Sequence, residues 1–190
     1  MQWQPLPEID PTTHQSPEAL AAGLAALPAS PRDVGEVVFL VSRGPDSARW
    51  IPERVRLTGE GMPGDRWADK PDRKPGAQLA VMNAAVGALV ANGQPFSMFG
   101  DNLVVTLDLS AEAMPTGTRL RAGDALLEVT DEPHTGCSKY AARFGAQALK
   151  FISAPARKRL QLRGLYVRVV TDGDIWVGAP ITVTSRPDAG

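Results

Sequence analysis

The residue of this sequence best suited to chemistry is its single cysteine, Cys137, which lies in the segment TDEPHTGCSKYAARFG, residues 130–145. A thiolate is both a nucleophile and a soft metal ligand, and nearby cations or a helix N-terminus favour it. Thr135 or Gly136 is a suitable N-cap, which would place Cys137 where the helix dipole stabilises an anion. Free cysteine is also among the most buried residue types, so an inert core position is the alternative.

The spacing around Cys137 bears on these alternatives. If Cys137 is fully helical, its own helix face also carries Tyr140 and Phe144, and that apolar face would bury the sulfur. Lys139 and Arg143 would then lie together on a different face. A reactive sulfur therefore requires Cys137 at the loop edge, immediately before the helix begins.

The two histidines are the next candidates. His134, three residues before Cys137, can orient a ligand, act as a base or bond a backbone carbonyl. His14 precedes a predicted N-terminal helix and is expected to be an exposed polar residue. One cysteine and two histidines exclude both an internal disulfide and an ordinary closed zinc site of four protein ligands. The low cysteine content predicts a reducing, cytoplasmic compartment.

Four other polar residues have types suited to an anion or a heterocycle. In the loop segment GDRW, Asp65 and Arg66 form either a surface ion pair or an arginine presented to an anion by a loop that Asp65 holds. In FGDNL, Asn102 is either a turn residue or a partner for a heterocycle edge. Arg163, directly before the segment LYVRVV, suits bidentate phosphate binding or is a solvated strand end.

Charge is distributed unevenly along a chain that has 20 basic and 21 acidic residues. Residues 131–170 contain eight basic residues and two acidic ones, so this block carries +6 and the remainder −7. Such a block favours an anionic partner. Nucleic acid is disfavoured because aromatic residues make up only 6% of a slightly acidic chain. The sequence has no P-loop, dinucleotide fingerprint or serine nucleophile elbow.

The elements that must position these residues are mainly strands. Ser16, Pro17 and the leucines before Pro28 predict a capped helix in an N-terminal arm of residues 1–33. Residues 34–186 are predicted to form one mainly β (α+β) domain, a barrel or sandwich, because strands and helices do not alternate regularly. Segments typical of strands are 34–42, 53–57, 78–82, 103–107, 118–122, 125–129, 165–170, 175–178 and 181–185.

Other segments of the chain predict helices and a long loop. Helices are expected over 83–90 and from 137 to about 160, and the Gly- and Pro-rich loop 58–77 is long enough to be functional. No stretch is apolar over the ~20 residues that span a bilayer, and no signal peptide is evident. We therefore expect an intracellular protein without a membrane partner.

Several segments, taken in order, resemble the MOSC domain, the module named after the C-terminal part of molybdenum-cofactor sulfurase. The resemblance covers roughly residues 34–184 and rests on these segments: GDRW, QLAVMN, FGDNLVV, GTRLRAGDALLEVT, PHTGCSKYAARFG, RGLYVRVV and VGAPITV. It implies a β-barrel with inserted helices and a site centred on Cys137. In the family this cysteine is proposed to carry sulfane sulfur as a persulfide, and in relatives with bound molybdenum cofactor its thiolate ligates the metal.

The resemblance implies a molybdenum cofactor of the molybdopterin type, with Cys137 as metal ligand or sulfur carrier and His134 beside it as a catalytic candidate. The residues expected to contact the cofactor are Asp65, Arg66, Asn102, Lys139, Arg143 and Arg163. Related proteins are also assigned pyridoxal phosphate binding by domain inference, but no lysine here lies in a motif that predicts a Schiff base. The commoner family pattern Pro-Arg-x-Pro-Cys is replaced by PHTGC, so His134 stands where an arginine is expected.

Three functions remain open at this point. The first is cofactor binding, with Cys137 as persulfide carrier or molybdenum ligand. The second is a molybdenum-dependent reductase of N-hydroxylated compounds, which would need a partner electron donor because the chain has no iron–sulfur cysteine set or flavin motif. The third is a non-catalytic anion-binding or sensor module. The expected partners are a small-molecule cofactor or substrate and a sulfur-donor or electron-donor protein.

Overall fold

A closed barrel of seven strands forms the centre of the molecule, in a computed structural model that describes residues 1–187. The order around the barrel is β10-β6-β7-β2-β12-β8-β9. All neighbours are antiparallel except β6 and β7, which run parallel. The barrel strands are β2 (Val34–Leu40), β6 (Leu79–Asn83), β7 (Leu103–Val105), β8 (Arg119–Ala122), β9 (Ala125–Val129), β10 (Leu165–Thr171) and β12 (Pro180–Ser185).

Two small sheets and four helices surround this barrel. One sheet has the order β1-β4-β3 and the other pairs β11 with β5. Their strands are β1 (Trp3–Gln4), β3 (Ser42–Arg43), β4 (Arg49–Trp50), β5 (Arg54–Leu57) and β11 (Gly173–Trp176). The helices are α1 (Pro17–Ala26), α2 (Ala84–Ala91), α3 (Ser138–Phe144) and α4 (Ala146–Ile152). None of the helices in residues 1–187 is long and apolar enough to cross a membrane.

The apolar side chains form two clusters separated by the wall of the barrel. Leu79, Val81 and Leu103 point into the barrel and belong to its interior cluster. The alternate residues Met82 and Val104 belong to a second cluster on the outside, against the helices. Because successive strand residues face opposite sides, β6 and β7 are buried on both faces. This part of the wall is therefore a rigid support for the helices packed on it.

The helical cluster explains how the N-terminal helix and α3 are held. Leu20 of α1 is fully buried and packs in the same cluster as Phe144 of α3 and Phe151 of α4. The predicted cap of α1 is confirmed, since Ser16 Oγ accepts a hydrogen bond of 3.2 Å from the Ala19 amide. The division of the chain at residue 33 stays a prediction.

The predicted fold class is confirmed by the barrel and its helices, with two differences of detail. The strand expected over 34–42 ends at Leu40, and Ser42–Arg43 belongs to the sheet with β4 instead. The single helical stretch expected from 137 to 160 is divided into α3, α4 and a 3₁₀ segment, Pro155–Leu160. Local periodicity predicts helical conformation here but does not predict the breaks, which packing against the barrel determines.

Candidate functional site

Cys137 is the N-cap residue of α3 and its side chain is exposed. Its backbone is extended, with φ −131° and ψ 175°, and its carbonyl accepts from the Tyr140 amide at 2.9 Å. Tyr140 and Phe144 are buried, at 6% and 1% exposure, whereas the sulfur lies outside the helix face that they share. The structure therefore places Cys137 at the loop edge, which is the position that a reactive sulfur requires.

The sulfur lines a cleft of about 290 Å³ that we call the basic cleft. Seven basic residues line it and, among the residues that the structure describes, no aspartate or glutamate does. The basic residues are Arg43, Arg49, Arg66, Lys70, Lys139, Arg143 and Arg163. Positive charges that converge in a concave site repel one another and favour an anionic ligand.

Arg49 is a buried basic residue of the cleft that has no ion pair with a carboxylate of the described residues. It is 3% exposed, and its guanidinium donates only to backbone carbonyls, including those of Ser97 at 2.9 Å and Phe99 at 3.3 Å. Burial lowers the pKa of Arg49 to about 10, and the charges of Arg143 and Arg43 act in the same direction. A bound anion would offset this repulsion.

Arg143 connects the cationic cluster to the sulfur. It is 8% exposed on α3, and its Nη1 donates to the Met98 carbonyl at 2.9 Å, which fixes the guanidinium. Burial lowers the pKa of Arg143, and a negative charge on Cys137 acts in the opposite direction. The two side chains are thus close enough to interact electrostatically, although Arg143 is six residues further along the chain. Lys139 and Arg66, both exposed, complete this side of the cleft.

Asp65 lies behind the cleft, where it holds Arg43. The carboxylate is 2% exposed and accepts from Arg43 Nε at 2.8 Å, Arg43 Nη2 at 2.7 Å and the Trp67 amide at 2.9 Å. Burial raises the pKa of Asp65, but these hydrogen bonds and the charge of Arg43 outweigh burial and bring it below the ordinary value. Asp65 is not among the lining residues, so its placement assigns it to the framework that presents Arg43.

Asn102 belongs to the same framework. It is fully buried, its Oδ1 accepts from the Ala80 amide at 3.0 Å, and its Nδ2 donates to the Val41 carbonyl at 3.2 Å and to Asp65 at 2.8 Å. Its donor and acceptor groups are already used and it does not line the cleft, so the structure does not bring Asn102 together with the lining residues, and its contact with a cofactor stays a prediction. Asn102 ties the barrel to the loop that carries Asp65.

Arg163 is held by a carboxylate through one of its three guanidinium nitrogens, and its predicted phosphate contact stays a prediction. Its Nη1 lies 2.7 Å from Oδ1 and 2.8 Å from Oδ2 of Asp101, which is fully buried. The guanidinium also lies over the Tyr140 ring, 5.2 Å from its centroid. Arg163 therefore contributes a partly neutralised charge to the cleft.

His134 is a neutral residue in the wall of the cleft. Its side chain is 4% exposed, its ring centroid lies 4.3 Å from that of Tyr166, and its Nε2 lies 3.6 Å from Asp101 Oδ1. Burial lowers the pKa of His134 to about 3, an effect to which Arg163 adds and which Asp101 opposes. His134 hence does not replace the positive charge of the arginine expected at this position, and its catalytic role stays a prediction.

The sequence analysis missed Arg43, Arg49 and Lys70. Arg43 and Arg49 are cross-strand partners in the β3–β4 pair, a register that places like charges opposite each other. The available local signal is the pair of arginines flanking the turn-forming segment GPDSA, which lies between the predicted strands 34–42 and 53–57. Only the tertiary fold brings them beside Cys137.

A self-contained metal site is absent from the part of the chain that the structure describes. Within residues 1–187, no group of three or more His, Cys, Asp or Glu side chains could hold a metal ion. The donor set at the cleft is one exposed thiol surrounded by cations. This set fits a metal that arrives within an anionic organic cofactor and takes Cys137 as a single protein ligand.

The exposure of the sulfur in a cationic cleft leads to a labelling prediction. The quantity of interest is the rate at which Cys137 reacts with an anionic aromatic disulfide divided by its rate with a neutral maleimide. This rate ratio should be higher in the native protein than in the unfolded chain, because the cleft concentrates anions. The excess of the native ratio over the unfolded ratio should fall as salt is added, since screening weakens the attraction. Stopped-flow absorbance measures both rates. Lys139→Gln should reduce this excess. Lys150 is exposed and lies outside the cleft, so Lys150→Gln should leave the excess unchanged. A rate ratio that does not depend on salt would contradict the prediction.

The chain was compared with known proteins. The family model of the MOSC domain matches residues 62–182. None of the curated proteins matches the sequence significantly. The structure resembles the YuaD protein from Bacillus subtilis with a TM-score of 0.59 and 16% identity, over 78% of this chain and 94% of that one.

Two further solved structures show the same fold. YiiM from Geobacillus stearothermophilus matches with a TM-score of 0.58 and 21% identity, over 82% of this chain and 77% of that one. YiiM from Escherichia coli matches with a TM-score of 0.55 and 22% identity, over 81% of this chain and 72% of that one. At these identities the similarity extends to the fold alone.

Proposed function

This chain belongs to the MOSC domain family, and we propose that it binds a molybdenum cofactor of the molybdopterin type, with the Cys137 thiolate as the protein ligand of the metal. The observation that carries the proposal is the exposed sulfur at the edge of a cleft lined by seven basic residues and no carboxylate of the described chain. The residues expected from sequence to contact the cofactor divide into two groups: Arg66, Lys139, Arg143 and Arg163 line the cleft, whereas Asp65 and Asn102 support it.

Each group of residues has a distinct task in this proposal. The exposed bases Arg66, Lys70 and Lys139 suit the phosphate of the cofactor, because flexible cations pair with phosphate at the solvent edge. Arg143, fixed by the Met98 carbonyl, supplies a positive charge next to the sulfur. When bound, the cofactor supplies oxygen- or sulfur-transfer chemistry at its metal.

The same sulfur also suits the sulfur-carrier version of the function. The Cys137 thiolate would attack the outer sulfur of a donor persulfide, R–S–SH. The donor S–S bond breaks, a new S–S bond forms on Cys137, and the donor leaves as a thiolate, with no net change in oxidation state. Because Cys137 is the only cysteine, no second thiol of the same chain is available to resolve the persulfide.

Cofactor retention tests the proposal. The protein is co-expressed with cofactor biosynthesis, purified, and assayed for molybdenum by mass spectrometry and for pterin by fluorescence after oxidation. The wild type should retain both. Cys137→Ala should lose molybdenum at least tenfold, because a soft ligand is removed, and Lys139→Gln should retain less pterin than the matched control Lys150→Gln.

One outcome would contradict cofactor binding, and a further measurement would then test the alternative. If the wild type retains neither molybdenum nor pterin, the proposal fails. If it then still binds small polyanions in a salt-dependent manner, the alternative of a non-catalytic anion-binding module gains support.

The sulfur-carrier version is tested separately, by incubating the purified protein with a persulfide donor. One added sulfur atom on wild type and none on Cys137→Ala is the expected mass-spectrometric result.

A further inference from the structure

A second and larger cavity, of about 880 Å³, lies next to the basic cleft. The two share the wall residues His134, Thr135 and Arg163. Cys137 lines the basic cleft and does not line the larger cavity. The function proposed above therefore makes no use of it.

The interior of the larger cavity is apolar and supported by regular elements. Its apolar lining comes from β9, α4 and β10, together with residues of adjoining loops. These lining side chains are all less than 10% exposed: Met114, Val129, Ile152, Leu162 and Leu165. Preformed cavities of roughly 300–1,000 Å³ with an apolar lining and a few polar groups are typical of small-molecule sites.

The charges at the mouth of the larger cavity cancel. Three charged lining residues have ion-pair partners: Glu132 pairs with Lys74, Arg159 with Glu112 and Arg163 with Asp101. The two remaining charged lining residues, Lys158 and Asp131, have opposite signs. In contrast, the basic cleft has seven basic residues and no lining carboxylate among residues 1–187. A ligand selected by the cavity is therefore neutral, and an anionic cofactor belongs in the cleft.

The shared wall provides two buried polar atoms with open hydrogen-bonding capacity. His134 Nδ1 and Arg163 Nε have no hydrogen-bond partner within the described residues, and His134 is 4% exposed at its side chain. Because Asp101 can only accept and lies near His134 Nε2, the tautomer protonated at Nε2 is favoured, so that Nδ1 is an acceptor. Arg163 Nε–H is a donor. Both atoms are shielded from solvent, so each side chain must rotate slightly towards the cavity before a ligand can reach it. Leaving such groups unpaired is costly, and a ligand that pairs both gains affinity.

We propose that this cavity binds a small neutral organic molecule with an apolar body and an amide-type edge. The N–H of that edge donates to His134 Nδ1, and its carbonyl oxygen accepts from Arg163 Nε–H. The apolar body lies against Ile152 and Leu165. This assignment does not depend on molybdenum or on Cys137.

Benzamide is a direct probe, compared with benzoate, which is charged, and with methyl benzoate, which lacks the donor. Titration into the full-length protein, followed by two-dimensional NMR, should show saturable benzamide binding, with both analogues at least tenfold weaker because each leaves a buried group unpaired. Ser153→Trp places a large ring at an exposed residue of the cavity lining and should abolish binding. Gln147→Trp, at an exposed residue of α4 outside the cavity, is the matched control and should bind normally.

The remaining variants separate this site from the cofactor site. His134→Phe should weaken benzamide binding about tenfold through loss of the acceptor, and Cys137→Ala should leave it unchanged. Absence of saturable binding at millimolar benzamide, binding that persists in Ser153→Trp, a preference for benzoate, or loss in Cys137→Ala would each overturn the proposal. Failure to retain molybdenum has no bearing on these results.

Discussion

Asp65→Ala is expected to lower the free energy of unfolding by about 3–5 kcal/mol, since removing one partner of a buried ion pair leaves the other charge uncompensated. Arg43 loses its carboxylate, and Asn102 Nδ2 loses one of its two acceptors. Arg43 also stands directly opposite Arg49 in the β3–β4 pair, so the loss of Asp65 leaves two like charges facing each other. Urea denaturation followed by circular dichroism measures the effect.

The pH dependence of the Asp65 contribution has a defined sign and is measured with a second variant, Asp65→Asn. The pKa of Asp65 in the folded protein lies below its ordinary value of 3.8, because the Arg43 hydrogen bonds and charge outweigh the effect of burial. Its contribution to stability is therefore fully present above the unfolded pKa and is lost as the pH falls through the folded pKa. The stability difference between wild type and Asp65→Asn should be constant from about pH 8 to pH 5 and shrink below about pH 4.

A surface ion pair is the matched control for this experiment. Asp174 pairs with Arg54 at 3.0 Å, but both side chains are considerably exposed, at 33% and 58%. Asp174→Asn should change stability little, as exposed pairs generally do. An Asp65→Ala effect no larger than that of Asp174→Asn would mean that Asp65 does not hold the cluster together.

The sequence predicted the parts of the site that depend on local patterns. The start of a helix near Cys137 can be recognised from the helical spacing that follows it, although the N-cap is Cys137 itself and not Thr135 or Gly136 as predicted. The barrel followed from the strand pattern and from the resemblance, and the cap of α1 from Ser16 and Pro17. The cap and the helix boundary depend on a few consecutive residues, which is why one sequence suffices for them, whereas the closure of the barrel was implied by the resemblance.

The features of the cleft that could not be predicted from the sequence depend on long-range contacts. The charge block at residues 131–170 supplies Lys139, Arg143 and Arg163, but the other four basic residues of the cleft come from β3, β4 and the long loop. Asn102 has the residue type of a ligand contact, yet strand pairing directs its amide to the backbone and to Asp65. Burial, which no local pattern near PHTGC reveals, makes His134 neutral.

The turn that joins Arg163 to β10 depends on a glycine. Gly164 has φ +91°, and its amide donates to the Gln161 carbonyl at 2.7 Å. A side-chain Cβ at this position would overlap the backbone carbonyl oxygen of Val81, which pairs with Leu165 at the start of the β10–β6 ladder. An alanine here must therefore strain its own backbone and displace a barrel strand.

Gly164→Ala is consequently expected to lower the free energy of unfolding by on the order of 4 kcal/mol, the sum of positive-φ strain and steric overlap. Gly93→Ala separates backbone strain from steric overlap, because Gly93 has φ +93° but no atom lies within 4 Å of an added Cβ. Gly93→Ala should therefore lower the free energy of unfolding by only about 1–2 kcal/mol. Because Arg163 precedes the displaced residue, Gly164→Ala should also weaken benzamide binding, whereas Gly93→Ala should not. Equal destabilisation by the two variants would show that β6 does not constrain the approach of β10 at this turn.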